Sequence, residues 1–184
     1  IYTMALILFQ RKNLVVHASA SVANSLAFLF IGMSGYGKST ILLELIKKGH
    51  KMLSEDVSAI SFRNGVKLQP SFPLIKIDRR IAKTKEICSS IKNIKRDTRN
   101  RKIYKIKEEL HINFPVKVNS CYLINPIKGK TKIMEINDEK RIFFQMYNNI
   151  WRQVPATNCL ESQKQVMQNI SSFKSKSGHN LNVK

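Results

Sequence analysis

Gly32-Met33-Ser34-Gly35-Tyr36-Gly37-Lys38-Ser39-Thr40 fits the phosphate-cradling pattern G-x-x-x-x-G-K-[ST] without a mismatch. Glycines at these spacings let the backbone turn tightly, so that successive N–H groups converge on phosphate oxygens. Lys38 adds a mobile positive charge, and the Ser39 hydroxyl can ligate Mg²⁺. The flanks agree with a phosphate-binding loop (P-loop). Leu26-Ala27-Phe28-Leu29-Phe30-Ile31 is an apolar run that reads as a buried strand entering the loop. After the loop, Ile41, Leu42, Leu45 and Ile46 recur at helical spacing, and Gly49 closes that helix.

Working towards the N-terminus, Leu14-Val15-Val16 reads as a short buried strand that delivers His17, Ala18, Ser19 and Ala20. Ser21 to Ser25 reads as a turn of small and polar residues, making a hairpin from the Leu14 strand into Leu26–Ile31. Such a hairpin brings His17 to the P-loop only if the sheet folds across it. Residues 1 to 12 are apolar and then basic, and their periodicity fits strand or helix equally. Residue 1 is Ile, so preceding sequence is expected to be missing.

Towards the C-terminus, Glu55-Asp56 stands just before the strand-like Val57–Phe62. Acidic residues at strand ends in nucleotide-binding sheets hold Mg²⁺ or accept a proton from an attacking hydroxyl. Arg63-Asn64-Gly65 reads as a hairpin turn into Val66–Leu68, and Leu74–Ile77 as a further strand. Residues 79 to 107 are crowded with Lys and Arg. They read as a mobile, solvated excursion, as a phosphate and substrate clamp, or as both. Tyr104 and Ile106, and then Val116–Val118 and Cys121–Ile124, return to strand patterns, and Lys132–Ile136 is a further strand candidate. Asn137 or Asp138 can cap a helix from Glu139 to Trp151, whose Ile142, Phe143, Met146, Tyr147 and Ile150 form a core-facing stripe. The expected organisation is one catalytic domain over 1–160 and a polar, flexible tail over 161–184.

The chain has 184 residues, 43% of them hydrophobic, enough for one sizeable core. Cys88, Cys121 and Cys159 are scattered and form no C-x-x-C pair, which fits reduced thiols in a cytoplasm and no structural zinc. No apolar run is long enough for a membrane span, and the start lacks the marks of a secretory signal. The formal net charge of +20 invites a polyanionic partner. No aromatic RNA-binding motif, zinc-finger spacing or helix-turn-helix accompanies it, so a specific nucleic-acid partner is not expected. An acidic peptide or small protein is compatible with the charge.

Three islands then stand in register: His17-Ala18-Ser19-Ala20, the P-loop, and Gly49-His50-Lys51-Met52-Leu53-Ser54-Glu55-Asp56. His17 lies 21 positions before Lys38, and Glu55 lies 17 after it. This arrangement resembles the HPr kinase/phosphorylase family of phosphoenolpyruvate-carboxykinase-like proteins. The form of the first island, the Pro70–Ile77 segment and the apolar-striped helix are most similar to HPr-kinase-like enzymes that phosphorylate lasso-peptide precursors. The resemblance implies an α/β domain with a mixed sheet and flanking helices, and an ATP- and Mg²⁺-dependent Ser/Thr kinase of the cytoplasm. Gly32, Gly35, Gly37 and Lys38 would hold the ATP phosphates, with Ser34, Tyr36 and Thr40 in the same nucleotide-binding stretch. Ser39, and Glu55 with it, would serve Mg²⁺. Asp56 beside Glu55 would be the base, and His17 would stand near the transferred phosphate.

The chain departs from the family in three respects. It has Glu-Asp where two aspartates are usual, no acid near Ile75 or Lys76 where a metal-binding glutamate falls, and no recognisable phosphorolytic segment. A kinase without efficient phosphorylase activity is the expected form. HPr kinases assemble as oligomers, which leaves an oligomer open here. A nucleotide-gated binding module and an HPr-type protein kinase remain as alternatives. A nucleic-acid-stimulated ATPase rests on charge alone.

Overall fold

The computed structural model describes residues 2–84, 91–98, 100–126, 132–136, 138–150 and 178–182. Helix α1 (Tyr2–Gln10) leads into β1 (Leu14–Val16), β2 (Ala18–Ala23) and β3 (Leu26–Ile31). The P-loop and α2 (Lys38–Lys47) follow, then β4 (Lys51–Ser54), β5 (Ser58–Ser61), β6 (Lys67–Gln69) and β7 (Leu74–Asp78). Next come α3 (Arg79–Thr84), β8 (Ile91–Thr98), β9 (Arg101–Ile106), a 3₁₀ turn at Glu108–Leu110, and β10 (Val116–Ile124). The last elements are β11 (Lys132–Ile136), α4 (Glu139–Asn148) and β12 (Gly178–Asn182).

The main sheet runs β1-β5-β6-β10-β3-β2-β4, with β12 on β10 and β11 on β12. It is mixed: β10 runs parallel to β3 and β12 and antiparallel to β6. This is the expected fold class, α/β with a mixed sheet and flanking helices. A smaller antiparallel sheet, β7-β9-β8, covers α2. Leu42, Leu43 and Ile46 of α2 are buried there with Ile75, Ile77, Tyr104 and Ile106 of the small sheet. Each fully buried aliphatic side chain of this kind contributes about 1.5–3 kcal/mol. The P-loop helix is thus held from both faces, and its N-terminus has little freedom to move. Among the described residues no helix is long and apolar enough to cross a membrane.

Strand direction decides where the chemistry gathers. In the antiparallel β2–β3 pair Ala18 lies opposite Ile31, and in the antiparallel β2–β4 pair Ala20 lies opposite Ser54. The end of β3, the start of β2 and the end of β4 therefore share one sheet edge. The P-loop, His17 and Glu55-Asp56 all leave from that edge.

Several sequence expectations need correction. The Ser21–Ser25 stretch is mostly strand: Ala18–Ala23 pairs with both β3 and β4, and the turn is only Asn24-Ser25, with φ of 49° and 60°. Both faces of β2 are covered, so its Ala and Ser residues show no alternation. Their small size suits a strand packed under α2. The Leu14–Val16 strand is not its hairpin partner and pairs with β5 instead. Residues 79 to 107 are no solvated excursion where described, because α3, β8 and β9 build the sheet over α2. The two short strands expected at 116–124 are one, β10.

The C-terminal helix is capped by Asp138, whose carboxylate accepts from the Lys140 and Arg141 amides, and it stops at Asn148, short of Trp151. In its stripe Met146 is buried, whereas Tyr147 is 55% exposed. Ile150 packs on the core and bridges to Val16, and the side chains of Ile142 and Phe143 lie outside the described residues. Within the expected flexible tail, Gly178–Asn182 form β12 between β10 and β11. Residues 161–177 and 183–184 lie outside the described residues, as do Cys88 and Cys159.

Gly32 marks where β3 ends against β10: a Cβ there would come within 2.9 Å of the Ile124 carbonyl oxygen. Gly32→Ala must push two paired strands apart, and urea unfolding should show a loss of about 1–3 kcal/mol. An unchanged midpoint would mean that this junction yields freely.

Candidate functional site

The P-loop backbone turns through Gly35 (φ 89°) and Gly37 (φ 91°), conformations that a side chain disfavours. Gly37 caps α2 without any side-chain hydrogen bond, so the first N–H groups of a ten-residue helix remain available to an anion. A cavity of about 240 Å³ lies in front of them. Ser34, Gly35, Gly37, Lys38, Ser39 and Thr40 border it from the loop, and His17, Ser19, Glu55, Asp56, Lys76 and Arg101 border it from across. Gly32 and Tyr36 of the predicted stretch are not in its wall. They shape the loop instead, Tyr36 through an amide hydrogen bond to the Met33 carbonyl (3.2 Å).

Lys38 is folded back on its own loop, donating to the Gly32 and Met33 carbonyls at 2.7 and 3.0 Å. Burial lowers its pKa to about 8, against the pull of Asp56 and Glu55. An ammonium with shed hydration gains most from a phosphate placed within its reach. Ser39 Oγ donates to Glu55 Oε1 at 2.7 Å. Burial first, and then the neighbouring charge of Asp56, raise the Glu55 pKa to about 7, while the Ser39 hydrogen bond opposes them.

Asp56 behaves oppositely. It is the middle residue of a tight turn closed by the Val57 amide on the Glu55 carbonyl (2.8 Å), with φ of 68°. Its Oδ1 lies 3.3 Å from His17 Nε2 and its Oδ2 2.5 Å from Lys76 Nζ. Burial works to raise its pKa, but the hydrogen bonds from His17 and Lys76 prevail and hold it well below the usual carboxylate range. The proton affinities of two adjacent acids are thus driven in opposite directions.

All the residues the sequence nominated for chemistry, His17, Lys38, Ser39, Glu55 and Asp56, meet at one cavity. Lys76, Arg101 and Ser19 were not singled out. Lys76 had a signal, a lone cation between apolar residues of a strand. Arg101 had none among so many cations, yet its Nη2 donates to Ser34 Oγ at 3.3 Å. The Ser19 hydroxyl is buried without a hydrogen-bond partner among the described residues, at the cavity wall. A phosphate oxygen would satisfy it.

The hydroxyl–carboxylate pair of Ser39 and Glu55 suits a hard cation such as Mg²⁺, which usually takes one or two protein oxygens and completes its shell with phosphate and water. Among the described residues no cluster of three or more His, Cys, Asp or Glu side chains is placed to hold a metal ion alone. The ammonium of Lys76 beside Asp56 repels a cation there, which leaves Glu55 as the acid that could face a metal.

No family model matches the chain. The HPr kinase/phosphorylase of Thermoanaerobacter pseudethanolicus is 39% identical over 63 residues, which is 34% of this chain and 21% of that protein. The HPr kinase/phosphorylase of Caldanaerobacter subterraneus subsp. tengcongensis is 36% identical over 63 residues, with the same coverage. The chain thus matches about a fifth of the length of these curated relatives. Among solved structures, the HPr(Ser) kinase/phosphatase from Coxiella burnetii superposes with a TM-score of 0.37 at 15% identity, covering 67% of this chain and 77% of that one.

Because the Glu55 pKa rises from 4.5 to about 7 on folding, the folded chain keeps a proton that the unfolded chain releases in that window. Stability from this group therefore falls as pH rises from about 4.5 to about 7 and is level above. Glu55→Gln removes the dependence, so its Tm relative to wild type should climb from about pH 4.5 to about pH 7 and then level off. A constant difference across that range would contradict the buried, proton-bearing state of Glu55.

Proposed function

We propose that this chain is an ATP-dependent kinase that transfers a phosphoryl group to a Ser or Thr hydroxyl of a peptide or small protein. The observation that carries the reading is one cavity bordered both by the P-loop and by an ionised Asp56 that His17 and Lys76 fix in place. The similarity to HPr kinase/phosphorylases supports it. The form of His17-Ala18-Ser19-Ala20 and the Pro70–Ile77 segment favour, more narrowly, an acceptor in the C-terminal region of a lasso-peptide precursor. An HPr-type protein acceptor is the alternative within the same chemistry, and the proposed setting is the cytoplasm.

The mechanism follows from charge and position. The P-loop amides, the α2 N-terminus and Lys38 hold the ATP phosphates, and Ser19 and Arg101 offer further donors. Ser39 and Glu55 would hold Mg²⁺, which when bound supplies charge neutralisation on the phosphate oxygens. Asp56 is anionic throughout the physiological range, the state a proton acceptor needs, and it would orient the attacking hydroxyl and take its proton. Phosphoryl transfer through a loose transition state asks little base strength, so a depressed pKa is no obstacle. His17 holds Asp56 in line and places an imidazole beside the transferred group.

One observation favours a second reading, a nucleotide-gated binding module with little turnover. The Lys76–Asp56 ion pair engages the carboxylate that would act as base.

Peptides encoded beside this gene, incubated with the protein, Mg²⁺ and ATP, separate the two readings by mass spectrometry. A kinase adds one or more phosphates to a hydroxyl residue. Lys38→Ala should lower the rate by about 10²-fold or more. Asp56→Asn should keep ATP affinity within about threefold by calorimetry while transfer falls by about 10²-fold or more. Full turnover by a folded Lys38→Ala protein refutes the P-loop assignment. Tight ATP binding with no phosphate on any peptide supports the binding module.

A further inference from the structure

A second cavity, of about 540 Å³, adjoins the first, and Glu55, Asp56 and Lys76 border both. The second cavity therefore comes up to the same Glu55, Asp56 and Lys76 side chains as the first. Its other walls are largely apolar, with Met4 and Ile7 from α1 and with Pro70, Phe72 and Leu74 from the segment entering β7. Four of these side chains face water: Phe72 is 65% exposed, Met4 41%, Ile7 38% and Leu74 36%. Large apolar groups gathered in the open beside the Glu55 and Asp56 carboxyls mark a surface meant to be covered.

Strand β7 joins the two cavities. Leu74 and Lys76 border the apolar one, and Lys76, Ile77 and Asp78 border the phosphate one. β7 pairs with β9 on one side, and among the described residues no strand pairs on its other side. An edge strand of this kind can pair with an extended peptide.

We propose that the apolar cleft is the acceptor subsite: it holds an extended polypeptide segment by one or two large apolar side chains and brings a hydroxyl of the same segment to Asp56. This rests on the phosphoryl-transfer reading above. On transfer the acceptor oxygen forms a bond to the γ-phosphorus, the bond from that phosphorus to the oxygen of departing ADP breaks, and the hydroxyl proton goes to Asp56. A space of this volume is about 10 Å across, or about three residues of extended chain. The anchoring side chains therefore lie within about three residues of the hydroxyl.

The test uses the whole chain with Mg²⁺, ATP and synthetic peptides carrying one Ser, in which the flanking three positions on each side are Leu or Phe, Gln, Glu, or Lys. Phosphate incorporation is read by mass spectrometry and peptide binding by fluorescence anisotropy. Apolar-flanked peptides should exceed Gln-flanked ones by about tenfold or more in kcat/KM, a difference of about 1.4 kcal/mol. Leu74→Glu should abolish that preference and favour Lys-flanked peptides, with KM for ATP unchanged as evidence of an intact fold. Phe114→Glu, at an exposed apolar residue away from the cleft, should change neither. Transfer without apolar preference, or with a preference that survives Leu74→Glu, overturns the acceptor subsite and leaves the kinase standing. Apolar-selective binding without transfer overturns the kinase reading and the acceptor role with it. Neither binding nor transfer overturns both.

Discussion

The structure depends on one carboxylate. Asp56 sits at φ 68°, an arrangement that costs a non-glycine residue about 1–3 kcal/mol. It ties together the β1–β2 junction through His17, the β4–β5 turn through its own backbone, and β7 through Lys76. Without these partners a largely desolvated, part-buried aspartate would be costly to keep ionised. With them, the ion pair and hydrogen bond that stabilise the charge also lock the small sheet onto the main one at the cavity mouth. The strain is thus offset where the proposed chemistry needs a fixed anion.

Beside it, Glu55 shares the turn but not the environment. Its carboxyl is buried against Ser39 and feels Asp56 as a like charge, so its proton affinity rises as that of Asp56 falls. Two neighbouring carboxyls driven apart by their surroundings are suited to different duties. On the proposed reading Asp56 serves the acceptor and Glu55, with Ser39, serves the metal. That division turns on which side chain meets Lys76, a partner 20 residues away in the chain.

What could be read in advance were features fixed by local chemistry. The P-loop needs glycine at two left-handed positions, β3 is a run of apolar residues, and α2 shows helical spacing, so each leaves a pattern in the chain. β2 leaves none, because a strand buried on both faces under a close helix is made of Ala and Ser and looks like a turn. The basic stretch from 79 to 107 showed a strand pattern only at Tyr104 and Ile106, and hid β8, the start of β9 and α3. Ile91, Tyr104 and Ile106 are buried on one face while lysines and arginines occupy many intervening positions, and the charge outweighed the alternation. Strand β12 depends wholly on partners, since its polar residues gain order from β10 and β11 on either side. The convergence of His17 with Glu55-Asp56 needed the antiparallel register of β2 with β3 and β4, which no single segment encodes.

The most direct test of the central claim is a crystal structure with Mg²⁺ and a non-hydrolysable ATP analogue. The account predicts the γ-phosphate in the cavity between Lys38 and Asp56, Mg²⁺ on Ser39 with Glu55 facing it, and the Lys38 ammonium released from the Gly32 and Met33 carbonyls. A nucleotide bound elsewhere, or one whose terminal phosphate points away from Asp56, would contradict it.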